Sequence, residues 1–312
     1  MTYLLTRREL ILSFGAAALG APFLNDRSKV GSVRPTHAVA RIRFGYASIT
    51  WGGNDQQAID EIASVGFRGV QLRSNVVTTF ADRPGVLREL LERRGVTMVA
   101  LSSGNLSIDP AVEREQLELH TRHAKFLRQL GGLYLQIIDE RPVGRAVTDA
   151  DYERLGHLLT ELGRRTADLG IALGYHPHMN SLGERPEQVR AVLGSADPRY
   201  VKLVLDTAHY QQGGGDPAQA VKDYSDRLLF LHVKDLEAPV PGDRRDPAHS
   251  YRFVELGRGK VDLKRVFDAL TETKFTGWAI VELDSVPDVS RSPKESAMIS
   301  KRYLEDVLRF TI

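Results

Sequence analysis

From residue 42 onward, short apolar runs alternate with longer stretches whose apolar residues recur at helical spacing. The runs are Ile42–Ala47, Gly69–Leu72, Thr97–Leu101, Leu133–Ile138, Ile171–Tyr175, Val201–Leu205, Leu228–Val233 and Trp278–Leu283. The periodic stretches are Asp55–Val65, Val86–Arg94, Ala111–Leu130, Asp149–Leu169, Pro186–Leu193, Pro217–Tyr224, Leu263–Thr271 and Pro293–Leu308. Strands that are apolar on both faces, alternating with amphipathic helices, predict βαβ units on a parallel sheet. Eight such pairs in about 270 residues is the size of a single closed (β/α)8 TIM barrel, expected over residues 41–312. An open doubly wound sheet competes, but its dinucleotide-binding form lacks the Gly-x-Gly-x-x-Gly that should follow the first strand.

Residues 1–40 break the pattern. Arg7-Arg8 precedes an apolar, small-residue run from Leu10 to Phe23, which contains Gly15, Gly20 and Pro22. A basic segment followed by a short apolar one is the order of an export signal, and the arginine pair resembles a twin-arginine leader. The run is short for a membrane span. Ala18-Leu19-Gly20 and Ala38-Val39-Ala40 are the candidate cleavage sites, with a polar linker between them. The expectation is therefore a leader and linker over 1–40, passage through the twin-arginine export machinery, and a periplasmic or extracellular product without a stable membrane span.

Composition narrows the chemistry. The 312 residues are 42% hydrophobic and 26% charged, enough apolar material for one large core. The net charge of +2 becomes −1 once the five basic and two acidic residues before position 41 are removed. No basic excess remains for a nucleic-acid partner. There is no cysteine, so disulfides, thiolate chemistry and cysteine zinc sites are excluded. Any metal must be held by His, Asp and Glu.

In a (β/α)8 barrel the chemistry sits where the strands end at their C-terminal side. The fifth strand runs into His176-Pro177-His178, and residues two apart on a strand share a face. The sixth stops at Asp206, with His209 three residues on; the seventh carries His232 and Lys234 on one face; the eighth ends at Glu282. A lone Asp there is usually a helix cap, and a lone strand His usually a satisfied core residue. The same pattern on four successive strands points instead to one mixed nitrogen–oxygen site made by His176, Asp206, His232 and Glu282. Such a site suits one divalent ion, Mn, Co, Zn or Fe(II), and Mg less well. An ion held there would act as a Lewis acid on a keto or enediolate group. Trp51, Gln71, Arg73, Glu140, Arg141 and Lys234 lie near strand ends and can read substrate hydroxyls. Gly257-Arg258-Gly259 is a weak candidate for a phosphate turn, so a phosphorylated substrate is not expected.

Over roughly residues 42–310, Asp206-Thr-Ala-His209, His232-Val-Lys-Asp235 and Val-Glu282 resemble the xylose-isomerase-like sugar phosphate isomerase/epimerase superfamily. The resemblance implies a metal shell of a Glu, an Asp, a His and a Glu from strands five to eight, as in the ketose 3-epimerases. Here His176 replaces the first Glu, which in those enzymes also works as a base. Tyr175-His-Pro-His-Met179, Leu205-Asp-Thr-Ala-His209 and Gly277-Trp-Ala-Ile-Val-Glu282 are similar to a subgroup that includes inosose dehydratase. That likeness implies removal of a proton α to a carbonyl and loss of a β-hydroxyl. Exported members of the wider group act on 3-keto glycosides. With the strand-five carboxylate gone, the proton must be taken by His209, His178, Lys234 or Glu140. His209 is the first choice, because its spacing from Asp206 sets it beside the metal. The reading is thus an isomerase or epimerase acting through an enolate on a keto sugar or keto-cyclitol. A dehydratase is the runner-up, and a non-catalytic sugar-binding protein is the alternative from another class.

Overall fold

The computed structural model describes residues 41–240, 242–243 and 250–312, and the expected leader and linker over 1–40 lie outside the described residues. Eight parallel strands close into a barrel: β1 (Ile42–Ala47), β2 (Gly69–Arg73), β3 (Thr97–Leu106), β4 (Tyr134–Asp139), β5 (Ala172–Tyr175), β6 (Val201–Asp206), β7 (Leu228–Val233) and, as the eighth stave, β10 (Gly277–Val281). β1 pairs with β2 on one side and β10 on the other, which closes the ring. Between β7 and β10 the chain makes an antiparallel hairpin, β8 (Asp235–Glu237) and β9 (Arg252–Val254).

Among the described residues, ten helices cover the outside: α1 (Asp55–Val65), α2 (Asn75–Phe80), α3 (Pro84–Arg94), α4 (Glu113–Gln129), α5 (Asp149–Ala167), α6 (Pro186–Ser195), α7 (Thr207–Gln212), α8 (Pro217–Asp223), α9 (Leu263–Glu272) and α10 (Pro293–Arg302). Their starts follow from the sequence. Asn54 accepts from the Gln57 amide ahead of α1, Asp262 accepts from Arg265 ahead of α9, and Ser292 with Glu295 forms a capping box on α10. The apolar stripes of these helices and the outer faces of the strands make one large core. A second cluster lies inside the barrel: Val99, Ala100, Val204, Phe230, Trp278 and Ile280, with Tyr134 stacked on Phe230 at 5.5 Å. Gly69 leaves the room that the Trp278 indole occupies; a Cβ there would meet its ring at 2.4 Å.

All eight predicted strands and eight predicted helices are present. The β8–β9 hairpin, α2 and α7 are not legible in the sequence, each being too short to show a period. The last predicted helix stops at Arg302 and continues as a π-helical turn over Tyr303–Val307. Among the described residues no helix is long and apolar enough to cross a membrane.

Candidate metal centre at the barrel mouth

Asp206 ends β6 and caps α7 at once. Its Oδ1 accepts the amides of Ala208 and His209 at 2.8 Å each, which fixes the carboxylate and leaves Oδ2 buried without a hydrogen-bond partner. His232 sits beside it in register on β7. The Nε2 of His232 lies 2.8 Å from Gln71 Oε1. With an amide oxygen as acceptor, the proton is on Nε2 and the lone pair on Nδ1. That Nδ1 faces Glu282 Oε2 at 3.4 Å and Asp206 Oδ2 at 3.7 Å, and like Oδ2 it is buried without a hydrogen-bond partner. His176, just beyond β5, adds a buried imidazole with its ring centroid 4.7 Å from that of His232 and its own Nδ1 unpartnered.

One donor atom from each of His176, Asp206, His232 and Glu282 lies within 4.8 Å of the others. Lone pairs turned on one another, away from water, repel unless a cation lies among them. Burial pushes the His176 imidazole well below the usual histidine range, so it is the neutral ring a metal binds. The donor set therefore fits a divalent cation.

Lys234 is fully buried next to this cluster. Its Nζ is 3.0 Å from Glu282 Oε1, 2.5 Å from Asp284 Oδ1 and 3.3 Å from His209 Nε2, one acceptor for each N–H of an ammonium. The ring of Phe253, on β9, covers it at 3.9 Å. Burial favours the neutral amine, but Glu282, Asp284 and Asp206 outweigh it and hold Lys234 as ammonium, above the usual lysine range.

His209 is buried in contact with His178, their ring centroids 3.7 Å apart. Burial, then the Lys234 charge, pushes it well down. Because its Nε2 accepts from Lys234, its proton is on Nδ1. The basic nitrogen of His209 thus faces the Lys234 ammonium rather than the cavity. Lys234 itself, as an ammonium with three acceptors, donates rather than accepts. His178 differs from both. Its Nδ1 donates to the Met179 carbonyl at 2.8 Å, which puts the lone pair on Nε2, and its ring lines the cavity at the barrel mouth.

That cavity is bounded by Ala47, Ser48, Ile49, Gln71, Arg73, Ser102, Gln136, Ile138, His176, His178, Glu282 and Asp284. Gln71 and Arg73 thus stand at the cavity as the sequence places them, with Gln71 also orienting His232. Trp51, Glu140 and Arg141 do not. Trp51 is buried against Tyr46, with its indole N–H donating to Glu61 Oε2 at 2.7 Å. Glu140 and Arg141 are exposed on the loop after β4, outside that lining, and border an adjoining hollow that shares Ile138 and His178 with it. Proximity to a strand end does not reveal which way these residues point. Asp284, Ser102, Gln136 and Phe253 were missed. The signal for Gln136 is a lone polar residue at an inward position of an apolar strand; Ser102 stands where the apolar run of β3 gives way to Ser-Ser-Gly-Asn.

A family profile described as Xylose isomerase-like TIM barrel matches residues 59–306. Inosose dehydratase of Lacticaseibacillus casei is 27% identical over 297 residues, which covers 85% of this chain and 96% of that protein. The crystal structure of IolI protein with a bound zinc atom superposes with a TM-score of 0.71 at 19% identity, over 87% of this chain and 100% of the other. L-Ribulose 3-epimerase superposes with a TM-score of 0.68 at 18% identity, over 84% and 93%. At these identities the two solved structures speak to the fold.

Proposed function

The chain belongs to the xylose isomerase-like TIM barrel family, and from that premise we propose that it is a metal-dependent dehydratase of a polyhydroxylated keto compound, with ketoinositols the first class to test. On sequence grounds isomerisation or epimerisation comes first and dehydration second. The relatives named inosose dehydratase favour the reverse order. The observation that carries the reading is His178, an imidazole with its proton fixed on the remote nitrogen and its ring at the cavity. The strand-five position that holds a carboxylate base in the resembled epimerases holds His176 here, in the metal cluster.

One base suffices for a dehydration. His178 takes the proton α to the carbonyl on Nε2, and the electron pair moves onto the carbonyl oxygen. As the pair returns, the bond from the β-carbon to its hydroxyl breaks, and the imidazolium gives its proton to the departing oxygen. The products are an α,β-unsaturated ketone and water, and His178 is neutral again. A divalent cation bound by His176, Asp206, His232 and Glu282 would supply positive charge where the substrate oxygen becomes negative. Glu282 is held in place through Oε1 by Lys234, and Gln71 fixes the His232 tautomer.

The test is to load the purified protein with Mn, Co or Zn and to offer ketoinositols, 3-keto glycosides and free ketoses. Metal-dependent loss of one water, seen as enone absorbance and by mass, is the expected result. Appearance of an epimer with no loss of mass would overturn dehydration. Ligand affinity that survives metal removal, with no turnover on any compound, would favour a binding protein.

A further inference from the structure

The cavity has two unlike halves. β5, β6, β7 and the segment after β10 carry the imidazoles and carboxylates. Facing them, β2, β3 and β4 bring three residues to one rung of the sheet: Arg73 pairs in register with Ser102, and Ser102 with Gln136. Register partners on parallel strands point to the same face, and all three line the cavity.

Gln136 stands out among them. It is 98% buried, since its relative exposure is 2%, yet its Oε1 is buried without a hydrogen-bond partner. No hydrogen bond of its amide nitrogen is found among the described residues either. A buried amide oxygen without a hydrogen-bond partner is costly, and interiors rarely tolerate one. Its neighbours do not explain it: Ile138 is apolar, and Ser102 makes no side-chain bond to it. An amide that both accepts and donates matches a group that does the same, and on a polyol that group is a hydroxyl.

We propose that Gln136 is a specificity residue that reads one ring hydroxyl of the substrate, with Ser102 and Arg73 beside it on the same rung. This rests on the polyhydroxylated-substrate reading above. Gln136 orients the ring across the cavity from the metal cluster, so that the carbonyl and the carbon losing its proton face His178. A substrate lacking that hydroxyl leaves the amide unpaired and is rejected; one lacking any other hydroxyl is not rejected by this residue.

The experiment is calorimetric titration of the metal-loaded full chain with myo-inositol, D-fructose and the monodeoxy analogues of each, for wild type, Gln136→Met and Gln136→Leu. Gln136→Met keeps length and shape, and retention of the wild-type melting temperature shows that it folds. Wild type should bind one deoxy analogue of its preferred ring about tenfold or more weakly than the parent. In Gln136→Met that analogue should bind within about twofold of the parent, while the other analogues keep their wild-type ranking. An unchanged deoxy profile in the variant would overturn the proposal, as would equal weakening of every analogue. If the profile collapses at one position but the wild type dehydrates no ketoinositol, the dehydratase reading falls and the role of Gln136 stands.

Discussion

His232 depends on the far side of its ring. The Gln71 amide oxygen holds the proton on Nε2, and only then does Nδ1 face Asp206 and Glu282 as a lone pair. Replacing an outer partner of this kind costs a metal site about 10–100-fold in affinity. Gln71→Met should therefore fold, and should yield its metal to a competing chelator at concentrations lower by that factor; an unchanged titration would mean the ring is oriented by packing alone. His178 makes a separate prediction. His178→Gln should keep the metal and lose solvent-deuterium exchange at the α-carbon of a ketoinositol by about 10²–10⁴-fold. Exchange at the wild-type rate would place the base elsewhere. The sequence exposed the metal-cluster residues because each is polar where an apolar strand stops. It could not expose tautomers: spacing sets His209 near Asp206, but only the Lys234 contact shows that its basic nitrogen is engaged. Gln136 stayed hidden for the opposite reason, as a single uncharged residue inside an apolar run.

At the scale of elements, the helices are legible from one buried and one solvated face and the staves from apolar runs buried on both, while the short β8–β9 hairpin shows neither. The period says nothing of what joins one element to the next. Asp139, at the end of β4, accepts from Tyr175, Ser181, Leu182 and Gly183 and so pins the loop that carries His178. Between β3 and α4, Ser103 Oγ lies 2.7 Å from His120 Nδ1 and 2.8 Å from His123 Nδ1, and His120 Nε2 lies 3.1 Å from the Asn105 carbonyl. The carbonyl places the His120 proton on Nε2, so Ser103 donates to His120 and accepts from His123. Burial first, then the neighbouring His123, pushes His120 down to about 4 from an ordinary 6.5, and burial lowers His123 as well. Between those two pH values the unfolded chain holds a proton on this histidine that the folded one does not. Stability is therefore full above pH 6.5, falls as the pH drops toward 4, and levels off below. The His120 share is on the order of 3 kcal/mol. Urea midpoints measured from pH 7 to 4 should slope for wild type and slope less for His120→Gln; parallel curves would show that the cluster does not titrate with folding.

For the whole molecule, the family expected from three motifs is the family that the profile matches across residues 59–306, because the closed barrel forces ligands from separate strands to one mouth. The leader is a separate matter of the first forty residues: we propose that changing Arg7 and Arg8 together to Lys leaves full-length protein in the cytoplasm, and normal export in a fractionation assay would sink the twin-arginine reading. Within the barrel, the mouth is also where folding and metal meet. Without a cation, the fold confines the carboxylates of Asp206 and Glu282 with the unpaired nitrogens of His176 and His232, a repulsion that only the folded state carries. Binding a divalent ion relieves it, and at about a hundredfold excess over Kd the ion adds about 2.7 kcal/mol of stability. For a domain of this size that raises Tm by several degrees. Chelator-stripped wild type should therefore melt lower than the protein resupplied with Mn or Zn. Asp206→Ala should lose most of that rise. The stripped variant also discards one of the crowded carboxylate oxygens, so its melting point should fall less below stripped wild type than the loss of two α7 caps alone would give. A stripped wild type whose Tm is unmoved by every divalent ion tried would remove the metal from the site, and with it the electrophile that the proposed dehydration requires.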